Sequence, residues 1–241
     1  MIGWAKRRAA TTAPVAAEPV IAARPASEPG VYEISPALAT VALPSSAAAD
    51  AFHRIAHEVK ERHLGDGRRG LALCGPSSGT GVTFTAANLA VALAQAGVAT
   101  LLVEANMRNP TLDQIIRPRS ASAGLQQVLR SELDPRDLVQ EDVLPNLSLM
   151  FAGGASRDAD QLVAGERFRA FIGASLRDYA CTIVDTPPAN RSADARSIAV
   201  AVGYAIIVGR RSFSFVDDTE LLARQLAQDG VSVVGSILNG A

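Results

Sequence analysis

Lysine is almost missing from this chain. Of its 23 basic residues only Lys6 and Lys60 are lysines, which leaves 21 arginines. Beyond residue 60, any cation that a site needs must therefore come from arginine. Cysteine is nearly as scarce: Cys74 and Cys181 are too few for a disulfide scaffold and fit a reducing compartment. Net charge is −1 and the sequence pI is about 6.3, which excludes a strongly basic nucleic-acid-binding surface. Long apolar runs are absent too. Lys6-Arg7-Arg8 could open a signal peptide, but Pro14, Glu18, Pro19 and Arg24 break the stretch that follows. The uncharged stretch over 198–209 is too short to span a bilayer. The sequence thus predicts a cytoplasmic protein with no membrane insertion of its own, any membrane association being supplied by a partner.

What is present is apolar. Hydrophobic residues make up 48 % of 241 positions, although aromatics supply only 5 %. That rules out disorder throughout and suffices for one sizeable α/β core with an appendage. Residues 1–49 differ from the rest, with 15 alanines, 6 of the 13 prolines and little periodicity. They predict a disordered tail, and residues 50–241 a single domain. A short docking element around Val31-Tyr32-Glu33-Ile34 is the alternative for part of the tail.

In the domain, an amphipathic helix is expected from Asp50 to His63, stopped by Gly65-Asp66-Gly67. Apolar strands are expected over 71–74, 98–104, 147–151, 181–184, 204–208 and 231–238. Helices are expected over 83–95, 166–179 and 219–228, with short helical patterns over 111–116 and 124–130. Strands alternating with helices, several of them apolar throughout, predict a doubly wound, mostly parallel sheet with helices on both faces. Ligands bind such folds at the carboxyl ends of the strands. His53, His57 and His63 lack the spacing and cysteine company of a metal site and read as a surface helix.

The loop Gly75-Pro76-Ser77-Ser78-Gly79-Thr80-Gly81-Val82-Thr83 joins the first strand to a helix. Glycines there let backbone N–H groups turn inward around phosphate oxygens, with the helix N-terminus behind them. Thr83 stands where a P-loop places its Mg²⁺ hydroxyl, and Val82 where it places its lysine. Pro76 occupies the position of the first glycine of the strict pattern.

Over roughly residues 50–241 the chain resembles the bacterial tyrosine kinases of polysaccharide export. Gly81-Val82-Thr83-Phe84-Thr85-Ala86-Ala87-Asn88-Leu89-Ala90 is similar to their G-K-S-T-x-x-x-N-L-A. Leu101-Leu102-Val103-Glu104-Ala105-Asn106-Met107-Arg108-Asn109-Pro110 looks like their second acidic motif, L-L-I-D-x-D-x-R-x-P. Ile183-Val184-Asp185-Thr186-Pro187-Pro188 resembles their Walker B motif, and Asp194 and the closing Val234-Gly235-Ser236-Ile237-Leu238-Asn239 follow in order. The resemblance implies a P-loop NTPase fold related to the partition ATPases. It also implies ATP and Mg²⁺ as cofactors and a membrane co-polymerase of the chain-length-determinant type as partner, in capsule, exopolysaccharide or holdfast assembly. Residues 78–84 would hold nucleotide: Ser78, Gly79, Thr80, Gly81, Val82, Thr83 and Phe84. Thr83 and Asp185 would hold the metal. Glu104, Asn106, Arg108 and Asp185 stand at the catalytic positions.

Four departures bear on chemistry. Val82 replaces the lysine. Glu104 and Asn106 replace two aspartates. The chain ends Leu238-Asn239-Gly240-Ala241 with no tyrosine cluster, and its tyrosines are Tyr32, Tyr179 and Tyr204. Of these, Tyr179 and Tyr204 read as core and Tyr32 as exposed. The ring-forming E-x-x-R-x-x-R element matches at Asp50, but His53 and Ala56 replace its arginines. These departures predict a kinase-like regulator with little or no kinase activity. An active kinase or ATPase using Arg108 or Arg210 in place of the lysine is the second reading. A partition-type positioning ATPase is the third; it would need a basic patch or a terminal amphipathic helix.

Overall fold

The computed structural model describes residues 32–118, 123–131 and 133–240. It opens with β1 (Tyr32–Ile34), a short helix α1 (Ala39–Ala42) and α2 (Ala47–Glu58), which continues as a π-helical turn over Val59–Leu64. Then come β2 (Gly70–Cys74), α3 (Val82–Gln95) and β3 (Thr100–Glu104). A 3-10 turn (Leu112–Gln114) leads into β4 (Ile116–Pro118) and α4 (Leu125–Arg130). A second such turn (Pro135–Asp137) precedes β5 (Gln140–Leu144) and β6 (Leu147–Met150). α5 (Ala159–Ala164), α6 (Glu166–Asp178), β7 (Cys181–Asp185), α7 (Asp194–Val202), β8 (Tyr204–Arg210), α8 (Val216–Gln228) and β9 (Ser232–Asn239) follow.

Seven strands form one sheet in the order β5-β6-β3-β7-β2-β8-β9, parallel except for β5, which runs antiparallel to β6. Successive residues of a strand point to opposite faces. On β2, Leu71 and Leu73 join the layer under α2 and α3, and Ala72 and Cys74 join the layer under α6, α7 and α8. The doubly wound expectation is therefore met. α3 is apolar nearly all round, because the sheet covers one side and α1 and α2 cover the other.

The expected boundary at residue 50 falls inside α2, whose N-cap is Ser46: its side chain accepts a hydrogen bond from the Ala49 N–H at 3.2 Å. Ordered structure begins earlier still. β1 pairs antiparallel with β4, and Leu38 is fully buried against the core. Buried Asn88 of α3 fixes this segment: its amide oxygen accepts from Thr40 N–H at 3.1 Å, and its Nδ2 donates to the Ala37 carbonyl at 3.1 Å. The tail expected over 1–49 is thus corrected from Tyr32 onward, and residues 1–31 lie outside the described residues. Tyr32 is half-buried rather than exposed, and its hydroxyl donates to Gln140 Oε1 at 3.0 Å. The helix expected over 111–116 is the 3-10 turn followed by β4, since Ile116 to Pro118 pair with β1. His53 and His57 are exposed as expected, but His63 is buried.

Candidate nucleotide site

Three strands end side by side. In the ladders, Glu104 of β3 lies opposite Asp185 of β7, and Leu73 of β2 lies opposite Asp185 on the other side. The loop after β2 therefore rises directly over the two carboxylates.

That loop is built for close backbone approach. Gly79 and Gly81 sit at φ +82° and +86°, where a side chain is strained. A Cβ on Gly75 would stand 2.3 Å from Thr80 Oγ1 and 2.7 Å from Val82 Cγ2. The Thr80 hydroxyl donates to the Ser77 carbonyl at 3.2 Å, and Asn239 Nδ2 donates to the Thr80 carbonyl at 3.4 Å. α3 begins at Val82 with no acidic residue in its first turn, so its N-terminal amides present an uncompensated positive end. Ser78 and Gly79 are exposed at the crest, and a cleft of about 520 Å³ beside it is lined by Arg210, Arg211, Ser212, Phe213 and Gly240.

The metal-site expectation can be judged from the side chains. Asp185 is fully buried, and its Oδ2 accepts from the Thr83 hydroxyl at 2.8 Å. Its Oδ1 is buried with no hydrogen-bond partner among the described residues. Burial and then the neighbouring Glu104 hold the Asp185 carboxyl well above the ordinary carboxylate range, against the opposing Thr83 bond. An orphaned carboxylate oxygen beside a hydroxyl is a donor set that fits a hard divalent cation. Thr111 adds a second hydroxyl, 3.4 Å from that of Thr83.

The other expected residues divide differently. Glu104 is 1 % exposed and fully engaged: Oε1 accepts from the Thr111 and Leu112 N–H groups at 2.6 and 2.7 Å, and Oε2 from Ala152 N–H at 3.0 Å. Burial raises its carboxyl, and those three donors work against the rise. Asn106 Oδ1 accepts from Asn109 N–H at 3.3 Å, a turn contact. Arg108 is forked onto buried Asp194, with Nε 2.7 Å and Nη2 3.3 Å from its two oxygens, and lies 3.7 Å from Asp160. Val82 is buried and faces back toward Gly75. Phe84 does not line the loop; its ring packs edge-on against Phe52, with centroids 5.8 Å apart. Arg210 does reach the loop, donating from Nη1 to the Gly79 carbonyl at 3.3 Å, and stacks over Phe213 at 5.6 Å. The sequence signalled Asn239 only as part of a closing motif, and nothing in it placed Thr111. Both cysteine thiols are buried and pushed up to about 12, which removes them as nucleophiles.

No family model matches the chain. Relatives do. It is 30 % identical over 172 residues to the tyrosine-protein kinase CpsD of Streptococcus agalactiae, a match covering 70 % of this chain and 74 % of CpsD. The chain belongs to the bacterial tyrosine-protein kinase family. CapB of Staphylococcus aureus is 26 % identical over 196 residues, 81 % of this chain and 86 % of CapB. Tyrosine-protein kinase wzc of Salmonella typhi matches at 28 % over 70 % of this chain, which is only 23 % of wzc. The kinase domain of the Escherichia coli tyrosine kinase ETK shares the fold, with a TM-score of 0.79 over 85 % of this chain and 80 % of that domain at 24 % identity. The septum site-determining protein MinD of Pyrococcus horikoshii, solved with Mg-ADP, shares the fold at a TM-score of 0.61 and 22 % identity, over 70 % of this chain and 69 % of MinD. The expectation of this fold is thereby met.

Proposed function

We propose that this bacterial tyrosine kinase relative is a kinase-like regulator of capsule, exopolysaccharide or holdfast assembly, acting on a membrane co-polymerase of the chain-length-determinant type. In this reading its phosphate loop has lost most of its power to transfer a phosphoryl group. Val82 carries the reading. It stands where the lysine belongs, is buried against Gly75, and can neither donate nor carry charge. The loop amides and the start of α3 would cradle phosphates, and Thr83 and Asp185 would hold Mg²⁺, which supplies charge neutralisation when bound. Phosphoryl transfer depends on positioning and charge, and a cation at the moving group is worth about 10³–10⁵ in rate in related chemistry. Arg108 is the weaker candidate, because the Nε–Nη2 edge of its guanidinium is forked onto Asp194. Association with the inner membrane would come through the partner: among the described residues no helix is long and apolar enough to cross a membrane.

A second reading has one observation in its favour. Arg210 touches the Gly79 carbonyl, so a guanidinium is already beside the loop crest and could take the lysine's part in an active kinase or ATPase. The positioning-ATPase reading has only the shared fold of MinD behind it.

Calorimetric titration of ATP with Mg²⁺ separates the two, using the wild type, Val82→Lys and Arg210→Ala. The proposal expects weak or undetectable binding in the wild type and a gain of roughly 10- to 150-fold in Val82→Lys, the value of one charge-assisted phosphate contact. Micromolar binding in the wild type that Arg210→Ala removes would establish the second reading instead. Phosphorylation of a tyrosine peptide at an ordinary kinase rate, lost in Asp185→Ala, would overturn the proposal.

A further inference from the structure

β9 is an edge strand, and its ladder in the sheet is with β8 alone among the described strands. All eight of its residues are exposed or half-exposed. The other edge of the sheet is blunted: β5 meets β6 in broken register, and Asp142 sits at φ +50°. Along Gly235 to Leu238 the ladder of β9 with β8 is regular, with no bulge or positive φ to blunt the edge.

Beside this edge lies a groove of about 930 Å³ between the α2 helix with its π turn and the β9 strand. Ile55, Val59 and Tyr204 give it apolar lining, and its full charges are Arg54, Arg62, Arg68 and Glu58. Glu58 is engaged by Arg62 at 3.1 Å, so the balance of the groove is basic. Arg68 pairs with Asp66 at 3.2 Å and lies over the Tyr204 ring, and Arg54 has no ion pair among the described residues. His63, 4 % exposed, also lines the groove. Its Nε2 lies 3.0 Å from the Gly70 carbonyl, and its Nδ1 is buried with no partner among the described residues. With Nε2 donating, Nδ1 is an acceptor still unmet. It sits in a π-helical turn, a departure from α geometry often found at functional sites.

We propose that this groove receives an extended acidic segment of a partner protein, which adds to β9 as a further strand of the sheet. Backbone groups on the free edge supply the hydrogen bonds of strand addition, and alternate side chains supply selectivity. Carboxylates on the incoming strand meet Arg54, Arg62 and Arg68, and its aliphatic side chains meet Ile55 and Val59. Residues 1–31 of this chain are the wrong occupant by charge, with Lys6, Arg7, Arg8 and Arg24 against Glu18 and Glu28. Two copies joined edge to edge through β9 would bring their arginines together. The proposal is independent of the nucleotide reading and survives or fails without it.

The probe is a fluorescein-labelled peptide of about eight residues alternating glutamate and valine, followed by anisotropy on the full chain. The expected result is micromolar binding that weakens roughly tenfold or more in the double variant Arg54→Ala/Arg62→Ala and in high salt. The corresponding lysine–valine peptide should not bind at the same concentrations. Hydrogen exchange with the acidic peptide bound should slow in residues 232–239. Both arginines are exposed, and an unchanged melting temperature in the double variant excludes a folding defect. Equal binding of the lysine–valine peptide would overturn the proposal, as would affinity indifferent to the arginine changes or protection elsewhere than 232–239. So would dimerisation, seen by light scattering, that the double variant abolishes, since the edge would then be a self-interface.

Discussion

The Thr83 hydroxyl donates to Asp185 Oδ2 across 2.8 Å, tying the first turn of α3 to the end of β7. One carboxylate oxygen is thus held, and the other is left bare in a fully buried position. In the chain alone, this is a costly place for a negative charge.

Asp185→Asn is therefore expected to stabilise the protein at neutral pH. Because the folded carboxyl titrates well above its ordinary value near 3.8, its contribution to stability is fully present below that value and falls as pH rises through the folded one. The asparagine variant has no charge to bury. Its melting temperature should exceed the wild type's at about pH 7.5 by an amount equivalent to about 1–3 kcal/mol, or several degrees, and the difference should close toward pH 4. Calorimetric scans across that range check the sign; a lower melting temperature for the variant at neutral pH would contradict the burial argument.

Gly75→Ala should collapse the phosphate loop while leaving the sheet intact. The new Cβ would sit 2.3 Å from Thr80 Oγ1, and neither that hydroxyl nor the Val82 methyl behind it has room to retreat. Introduced alongside Val82→Lys, it should cancel the gain in ATP affinity that the lysine confers. A double variant that binds ATP as well as Val82→Lys alone would show that the cradle tolerates the extra methyl.

Leu38→Ala tests whether the segment before α2 belongs to the domain. Leu38 is fully buried, so its truncation should cost about 2–5 kcal/mol, measurable as a shift in the urea midpoint. A change below about 0.5 kcal/mol would mean that the segment contributes nothing to the core.

Asp194→Ala should release Arg108. The pair is half solvated, Arg108 being 37 % exposed, which limits the loss of stability to about 1–2 kcal/mol. The informative readout is ATP affinity. If Arg108 is idle only because Asp194 holds it, affinity should rise in Val82 chains carrying Asp194→Ala; if it stays flat, Arg108 is out of reach of the phosphates.

The strands that carry the site were legible because they are buried on both faces. Runs such as Leu71 to Cys74 and Cys181 to Val184 admit few other readings, and glycines mark the loop between β2 and α3. The segment 32–46 was not legible, since its order depends on Asn88, some fifty residues away, and alanine and proline composition conceals that partner. β5 was missed because Gln140-Glu141-Asp142 reads as polar loop and is a strand only by pairing with β6. α7 was hidden by the small residues around Ile198. At the site, family position placed Thr83 and Asp185 together, and the contact is there. Arg210, which the sequence offered in place of the lysine, does touch the Gly79 carbonyl, whereas the Phe84 ring, at a family loop position, packs on Phe52 instead.

Glu104 fastens two loops to the end of β3. Its longer arm gathers the backbone of Thr111 and Leu112 on one loop and of Ala152 on another. An aspartate, one methylene shorter, would leave at least one of those buried N–H groups without its acceptor. Glu104→Asp would thus unfasten two loops at once. The length of this side chain, and not its charge alone, is therefore part of what holds the end of the sheet together.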